Sequence, residues 1–372
     1  MRILLLTYSF NYNYGGLLQA YATSKTLEKL GHTVSVPVSH PNYLVGNTSL
    51  FRGLGLRRQN PITAVLRRLR QSRRYQRFDQ FRRRLPLDHS IKTKADIQSS
   101  VSRFDVVLTG SDQTWNTKFM PEYDSYFYQG FLPDGIVRKV SYASCFGTKE
   151  QREEALSCAA ADLAKFDSIA IRNEVSRNIV HRITGIDAAV VVDPTLLHDF
   201  AEFEPDPSKS SEGSPVVVYA LDPVNFSTAE GIIRELLKRH PDMEVHFING
   251  EKNFDKPSWA THLINSHGPL EFLKAIQSAS FVVTDSFHGI IFAQKFGTAC
   301  IAYTSGWRSE RIIGLMKDFS AADLLLVDDN TDHLQRVVTK VADEGARLRM
   351  SDQLLRKIDF SKNYLVEALS KA

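Results

Sequence analysis

Between Phe281 and Phe296 the chain changes abruptly from a run suited to a buried strand to one suited to a helix. Phe281-Val282-Val283-Thr284 is apolar without alternation, Asp285-Ser286-Phe287-His288-Gly289 interrupts it, and Ile290, Ile291, Phe292, Ala293 and Phe296 then recur at helical spacing. A strand with no polar alternation belongs in a parallel sheet covered on both faces. The same turn sets His288 at the start of a helix. Unpaired N–H groups and a partial positive charge make that position suitable for an anion. An imidazole there can donate to a phosphate or carboxylate, or move a proton. The plainer reading is a capping Asp or Ser followed by a partly buried His.

Related switches organise the rest of the chain. Ile3 to Thr7 is a short apolar strand, and Asn11-Tyr12-Asn13-Tyr14-Gly15-Gly16 is a loop. Leu17, Leu18, Ala20, Tyr21, Leu27 and Leu30 follow at helical spacing until Gly31 closes the helix. With a strand at Thr33–Val38, this is a βαβ opening, which implies a parallel sheet. Further strands are expected at Phe104–Thr109, Lys139–Ala143, Ser168–Ile171 and Ala188–Val192, with a helix over Lys149–Lys165. Phe203–Pro215 holds three prolines, several serines and a glycine, and reads as a linker. The alternation then resumes with strands at Val216–Leu221, Val245–Ile248, Ala299–Tyr303 and Leu324–Val327. Helices are expected from a capping box at Ser227–Glu230 to His240, over Pro269–Ser278 and Ser309–Lys317, and on to Leu369. The expected fold is α/β, two Rossmann-like domains facing across a cleft, at 1–202 and 216–372 with the linker at 203–215. Ligands of such sheets bind outside the carboxyl ends of the strands.

Composition narrows the class. Hydrophobic residues make up 43% of the 372 and charged residues 24%, which excludes a disordered chain. The apolar run after Arg2 is too short for a secretory leader, and no apolar stretch reaches 18 residues, so no membrane span is expected. Cys145, Cys158 and Cys300 are far apart and odd in number, as expected of reduced cytosolic thiols. None is spaced as a metal ligand to another Cys or His, and no metal is expected. The net charge of +4 conceals an asymmetry: the Arg-rich segment 52–84 carries twelve arginines and one acid, Asp79, while the remainder is net acidic. Val65, Leu66, Leu69, Phe78 and Phe81 recur among those arginines at roughly helical spacing. That pattern fits a basic surface helix on anionic lipid, with nucleic acid or a merely solvated face as rival readings.

Other strand ends offer further candidates. Gly15-Gly16 permits close backbone approach, but it lacks a full dinucleotide fingerprint and no Walker lysine follows, so neither NAD nor ATP is supported. In Gly110-Ser111-Asp112-Gln113-Thr114-Trp115-Asn116, the polar side chains of Asp112, Gln113 and Asn116 can bond sugar hydroxyls while Trp115 offers a flat face. Asp112 can also accept a hydroxyl proton. The alternative is a capping Asp and a core Trp. Arg172, just past the Ser168–Ile171 strand, suits bidentate anion binding, and Arg308 or Arg311 could reach the same anion.

Taken together, Asn13-Tyr14-Gly15-Gly16 with Gln19-Ala20, Gly110-Ser111-Asp112-Gln113 with Trp115-Asn116, Tyr142-Ala143-Ser144-Cys145-Phe146-Gly147, Asp193-Pro194-Thr195-Leu196 and Thr284-Asp285-Ser286-Phe287-His288-Gly289 resemble the polysaccharide pyruvyl transferase family. The resemblance implies a GT-B-like fold with phosphoenolpyruvate as donor co-substrate, no cofactor, and a sugar hydroxyl pair as acceptor. The product would be a pyruvate ketal on a glycan or glycolipid of capsule, exopolysaccharide or cell wall. It also implies that Arg172 and His288 bind the donor, with Ser286, Phe287 and Gly289 alongside. Asn13, Gly15, Gly16, Gln19, Asp112, Gln113, Trp115 and Asn116 would fall on the acceptor side, and Asp112 is the candidate base. Some relatives carry Arg at the Ser286 position, so that donor contact is either missing here or supplied by Arg308 or Arg311. Asn173 and Cys145 are departures, where an acid and a Ser are usual. A lipid-pyrophosphate-linked acceptor would give the Arg-rich segment a purpose at the inner membrane face. Two readings stay open beside this one: glycosyl transfer from a nucleotide sugar, and non-catalytic binding of glycan or nucleic acid.

Overall fold

The computed structural model describes residues 1–38, 41, 73–203, 214–250, 254–305, 309–327 and 330–370. Seven parallel strands form the first sheet: β1 (Arg2–Leu6), β2 (Thr33–Pro37), β3 (Leu87–Asp88), β4 (Val106–Asp112), β5 (Arg138–Ser144), β6 (Ser168–Ile171) and β7 (Ala189–Val190), in the order β3-β2-β1-β4-β5-β6-β7. Six form the second: β8 (Val216–Tyr219), β9 (Val245–Ile248), β10 (His262–Ile264), β11 (Phe281–Thr284), β12 (Ala299–Tyr303) and β13 (Leu325–Leu326), in the order β10-β9-β8-β11-β12-β13. Both orders reverse direction beside their first strand, at β1/β4 and at β8/β11. A crevice opens at such a switch point. Helices cover both faces, which is why β1, β8 and β11 carry continuous apolar runs.

The domains share a core. The first helix (Tyr14–Lys29) lies between the sheets, and Tyr14 stacks on Phe272 of the second domain at 4.4 Å between ring centres. The Tyr14 hydroxyl donates to the His267 carbonyl at 2.9 Å. The C-terminal helix (Asp352–Ser370) returns to the first sheet: Leu365, Ala368 and Leu369 pack with Ile3, Leu5 and Val106, and Val192 N–H donates to Ser361 Oγ.

Two expectations change. The helix Phe226–Arg239 begins at Asn225 without a side-chain cap, so Ser227 lies inside it and no capping box forms. The helical residues 73–82 of the Arg-rich segment are not a free basic surface. Phe78 and Phe81 are buried, and Arg74 donates to the carbonyls of Tyr12 in one domain and Gly250 in the other. Arg77 binds the Ser266 carbonyl and pairs with Glu271, while Arg82 donates to the carbonyls of Ser9, Phe10 and Asn11. Amphipathic spacing suits this interdomain cleft as well as it suits a membrane; guanidinium forks satisfy loop carbonyls that would otherwise be orphaned. Residues 52–72 of the segment lie outside the described residues.

Candidate active site

The two switch points face each other. In the second domain, β11 ends at Thr284, and Ser286 caps the helix Phe287–Lys295 by accepting from Gly289 N–H at 3.3 Å. Asp285 accepts from Leu221 N–H at 2.7 Å, Asp222 N–H at 3.0 Å and Asn225 Nδ2 at 3.1 Å, which ties the turn to the end of β8. His288 then projects onto the first domain. Its Nδ1 lies where a side chain at Gly15 would stand, only 2.0 Å from an ideal Cβ, so this helix start admits the imidazole because residue 15 has no side chain. Two helix N-termini, those of Tyr14–Lys29 and Phe287–Lys295, therefore converge, and each is electropositive.

On the first domain Arg172 emerges from the end of β6 and is almost fully buried. Its Nη1 donates to Asp193 Oδ2 at 2.7 Å, and its Nη2 lies 3.2 Å from Asp112 Oδ1 and 3.1 Å from Cys145 Sγ. Its Nε is buried without a hydrogen-bond partner. The guanidinium carbon sits 5.0 Å from the centre of the Phe287 ring, a cation–π contact across the domain boundary. Asp193, which caps the turn after β7, is fully enclosed: Oδ1 accepts from Thr195 N–H at 3.0 Å and Thr195 Oγ1 at 2.6 Å, and Oδ2 faces His288 Nε2 at 3.6 Å. At 3.6 Å the Asp193–His288 contact is an ion pair when the ring is protonated, and not a hydrogen bond. Burial alone would raise the Asp193 carboxyl, but His288 and Arg172 together hold it well below the usual carboxylate range. Burial opposes the Arg172 charge, and Cys145, Asp112 and Asp193 more than restore it. Asp112 has left-handed backbone geometry (φ 73°), which an Asp tolerates better than most residues.

Arg172, His288, Asp112, Phe287 and Gly15 thus come together. Ser286 and Gly289 lie in the same turn, engaged with each other, and Asn13 caps the first helix by accepting from Gly16 N–H at 2.8 Å. Gly16 packs against Asn11. Three expected acceptor contacts are corrected. Trp115 is fully buried, with its indole N–H on the Phe127 carbonyl and its ring among Tyr128, Phe146 and Phe166, so it offers no face to a sugar. Gln19 is spent inside, donating to Thr7 Oγ1 and the Gly16 carbonyl and accepting from Ser111 N–H. Asn116 is buried, accepting from Lys118 N–H and donating to Gln113 Oε1. Gln113 itself remains half-buried beside Gly147. Asn173 is a helix cap, accepting from Ser176 N–H at 2.9 Å; the cation it follows is held from β4, β5 and the turn after β7. Arg311 is half-buried in the first turn of Ser309–Asp318, and Arg308 lies outside the described residues. The residue sequence reasoning undervalued is Asp193, whose partners are 21 and 95 positions away; its only local sign was a strand ending in Asp-Pro-Thr.

Comparison with known proteins fits this geometry. No curated protein matches the chain significantly in sequence. Among solved structures, Anabaena HepE in complex with UDP-glucose is similar at TM-score 0.58 and 12% identity, with all of both chains covered. UDP-GlcNAc 2-epimerase from Methanocaldococcus jannaschii is similar at TM-score 0.53 and 12% identity, covering 100% of this chain and 99% of that one. At such identity these likenesses concern the fold, and they make it GT-B-like. The sequence model described as "Polysaccharide pyruvyl transferase" matches residues 13–306, from the cap of the first helix to just past β12 and through every residue of the cluster, and the chain belongs to that family.

Proposed function

We propose that this chain transfers the pyruvate unit of phosphoenolpyruvate to a pair of hydroxyls on a glycan, forming a cyclic ketal. The observation that carries this reading is the convergence of Arg172 and His288, from opposite domains, on Asp193 beside two helix N-termini. A small, highly charged anion with a carboxylate and a phosphate suits a guanidinium fork, an imidazolium and free N–H groups. In the proposed reaction one sugar hydroxyl adds to the central carbon of the enol while the methylene carbon gains a proton. The C–O bond to phosphate then breaks, the second hydroxyl closes the ring, and its proton leaves; the products are ketal and inorganic phosphate. The balance needs no redox partner. His288 holds the departing phosphate and supplies the proton, Arg172 exchanges Asp112 for the donor carboxylate, and the Asp112 so released faces the hydroxyl as base.

The acceptor is read as a lipid-linked glycan at the inner membrane face, in assembly of capsule, exopolysaccharide or cell wall. Six of the twelve arginines in 52–84 lie between 52 and 70, and this reading offers these, with the exposed Arg73, Arg83 and Arg84, to an anionic headgroup. No helix among the described residues is long and apolar enough to cross a membrane. Deleting 52–70 should impair sedimentation with anionic liposomes; undiminished sedimentation would remove the membrane from the proposal.

The second reading, glycosyl transfer, is favoured by the likeness to HepE in its UDP-glucose complex. Thermal protection and phosphate release separate the two. Protection by phosphoenolpyruvate, with acceptor-dependent phosphate release and the ketal mass on the glycan, supports pyruvyl transfer. Protection by UDP-glucose alone would replace it.

A further inference from the structure

The second sheet carries a group of ligating side chains remote from the crevice. β9 and β10 pair in parallel with His246 opposite His262. Residues opposite each other on adjacent strands share a face, as do residues two apart along one strand. Glu244, two before His246, therefore joins both imidazoles on one side of the sheet. Glu244 Oε2 lies 2.9 Å from His246 Nε2, and its Oε1 lies 3.6 Å from His262 Nε2. The two rings meet edge to face at 5.0 Å, and one ligand atom from each of the three residues falls within a 4.8 Å span. The backbone beneath is fixed: Val245 N–H donates to Thr261 Oγ1, and Thr261 N–H to the Val245 carbonyl.

We propose that Glu244, His246 and His262 form a binding site for a divalent transition-metal ion of the zinc type, completed by water. Two imidazoles and a carboxylate are the donor set such ions take, at about 2.0–2.2 Å each. Ligand atoms around a tetrahedral ion then sit about 3.4 Å apart, so ring rotations on two partly exposed side chains close the present spacing. His262 and Glu244 are half open to solvent, with side-chain exposures of 51% and 54%, so an ion has a route in. Glu244 precedes β9 and His262 starts β10, which puts the site at the amino ends of the strands, opposite the crevice. Its role is accordingly structural. The ion clips the three-residue edge strand β10 to its neighbour, and a metal clip stabilises most where it closes a long connection.

The test is calorimetry and thermal melting of tag-free, chelator-treated protein with Zn²⁺, and with Mg²⁺ as control. The expected result is one saturable Zn²⁺ per chain with a rise in melting temperature, and no response to Mg²⁺. His246→Ala and His262→Ala should each weaken binding by more than about tenfold, since loss of even an outer-sphere partner costs that much. Glu244→Gln, which keeps both imidazoles and the size of the side chain, should weaken it as well. Absence of saturable Zn²⁺ binding by the unaltered protein would overturn the proposal. So would binding that survives the histidine variants but is lost in His198→Ala, because His198, Asp199 and Glu202 form the rival cluster.

Discussion

β4 and β11 occupy equivalent places in the two sheets, each beside the first strand of its domain, and each ends in a polar turn containing an Asp. The two carboxylates serve different ends. Asp285 is buried and accepts from two backbone N–H groups and an amide of its own domain. Asp112 is half-buried and faces a guanidinium that also holds Asp193 and stacks on the other domain. An acid satisfied by neutral neighbours of one sheet shapes a turn. An acid sharing a buried cation at a boundary can take part in chemistry when a ligand rearranges the charges. What separates them is the partner, and the partner comes from elsewhere in the chain.

The comparison breaks most sharply at His288. His288→Ala should reduce turnover by about 10²- to 10⁴-fold, measured as acceptor-dependent phosphate release, with a lowered melting temperature because the buried Asp193 carboxylate loses a partner. Near-normal turnover would show that β11 supplies structure only, as its Asp285 does. Asp193→Asn comes next. It leaves Arg172 without its closest counter-charge, and breaking a buried pair costs about 3–5 kcal/mol, to be read from denaturant melts. The pH dependence has a definite sign. The Asp193 carboxyl is held low in the folded protein, so its stabilisation is complete above the ordinary carboxyl range and fades as pH falls below about 4. The asparagine variant should lose that part of the acid-side slope.

Asp285→Ala strands two N–H groups and should cost about 1–3 kcal/mol, while the fraction that remains folded keeps its turnover within a few fold. Lost turnover at unchanged stability would erase the distinction between the two acids. The smallest effect on turnover is expected at Trp115→Phe, which leaves a cavity and an unpaired Phe127 carbonyl at a cost of about 1–3 kcal/mol in stability and should leave the KM for the glycan unchanged. A large rise in that KM would return Trp115 to the acceptor site.

Much of the fold was legible because parallel strands buried on both faces leave unbroken apolar runs. β6, β9, β11 and β12 lie at the residues expected for them. β3 and β10 were not foreseen, being two and three residues long and only partly buried. Where Arg172 and His288 lie could be read from position alone, the one past a strand and the other at a helix start. Asp193 could not, because its partners lie far off in sequence. Trp115 was misread since an aromatic after a strand looks the same whether it faces a sugar or a core. Arg74, Arg77 and Arg82 were misread for a similar reason: periodicity reports an amphipathic helix and is silent about what covers it.

The return of Asp352–Ser370 to the first sheet makes that domain discontinuous, with the second inserted into it. During synthesis the first sheet can therefore assemble only provisionally. Its β5 and the turn after β7 wait for Tyr364 and Ser361, which emerge after the second domain has had time to fold. The last helix acts as a latch on both domains, since its start buries Leu354 and Ile358 in the shared core and pairs Lys357 with Asp318: a chain clipped before it should leave apolar surface bare on both and be prone to aggregate.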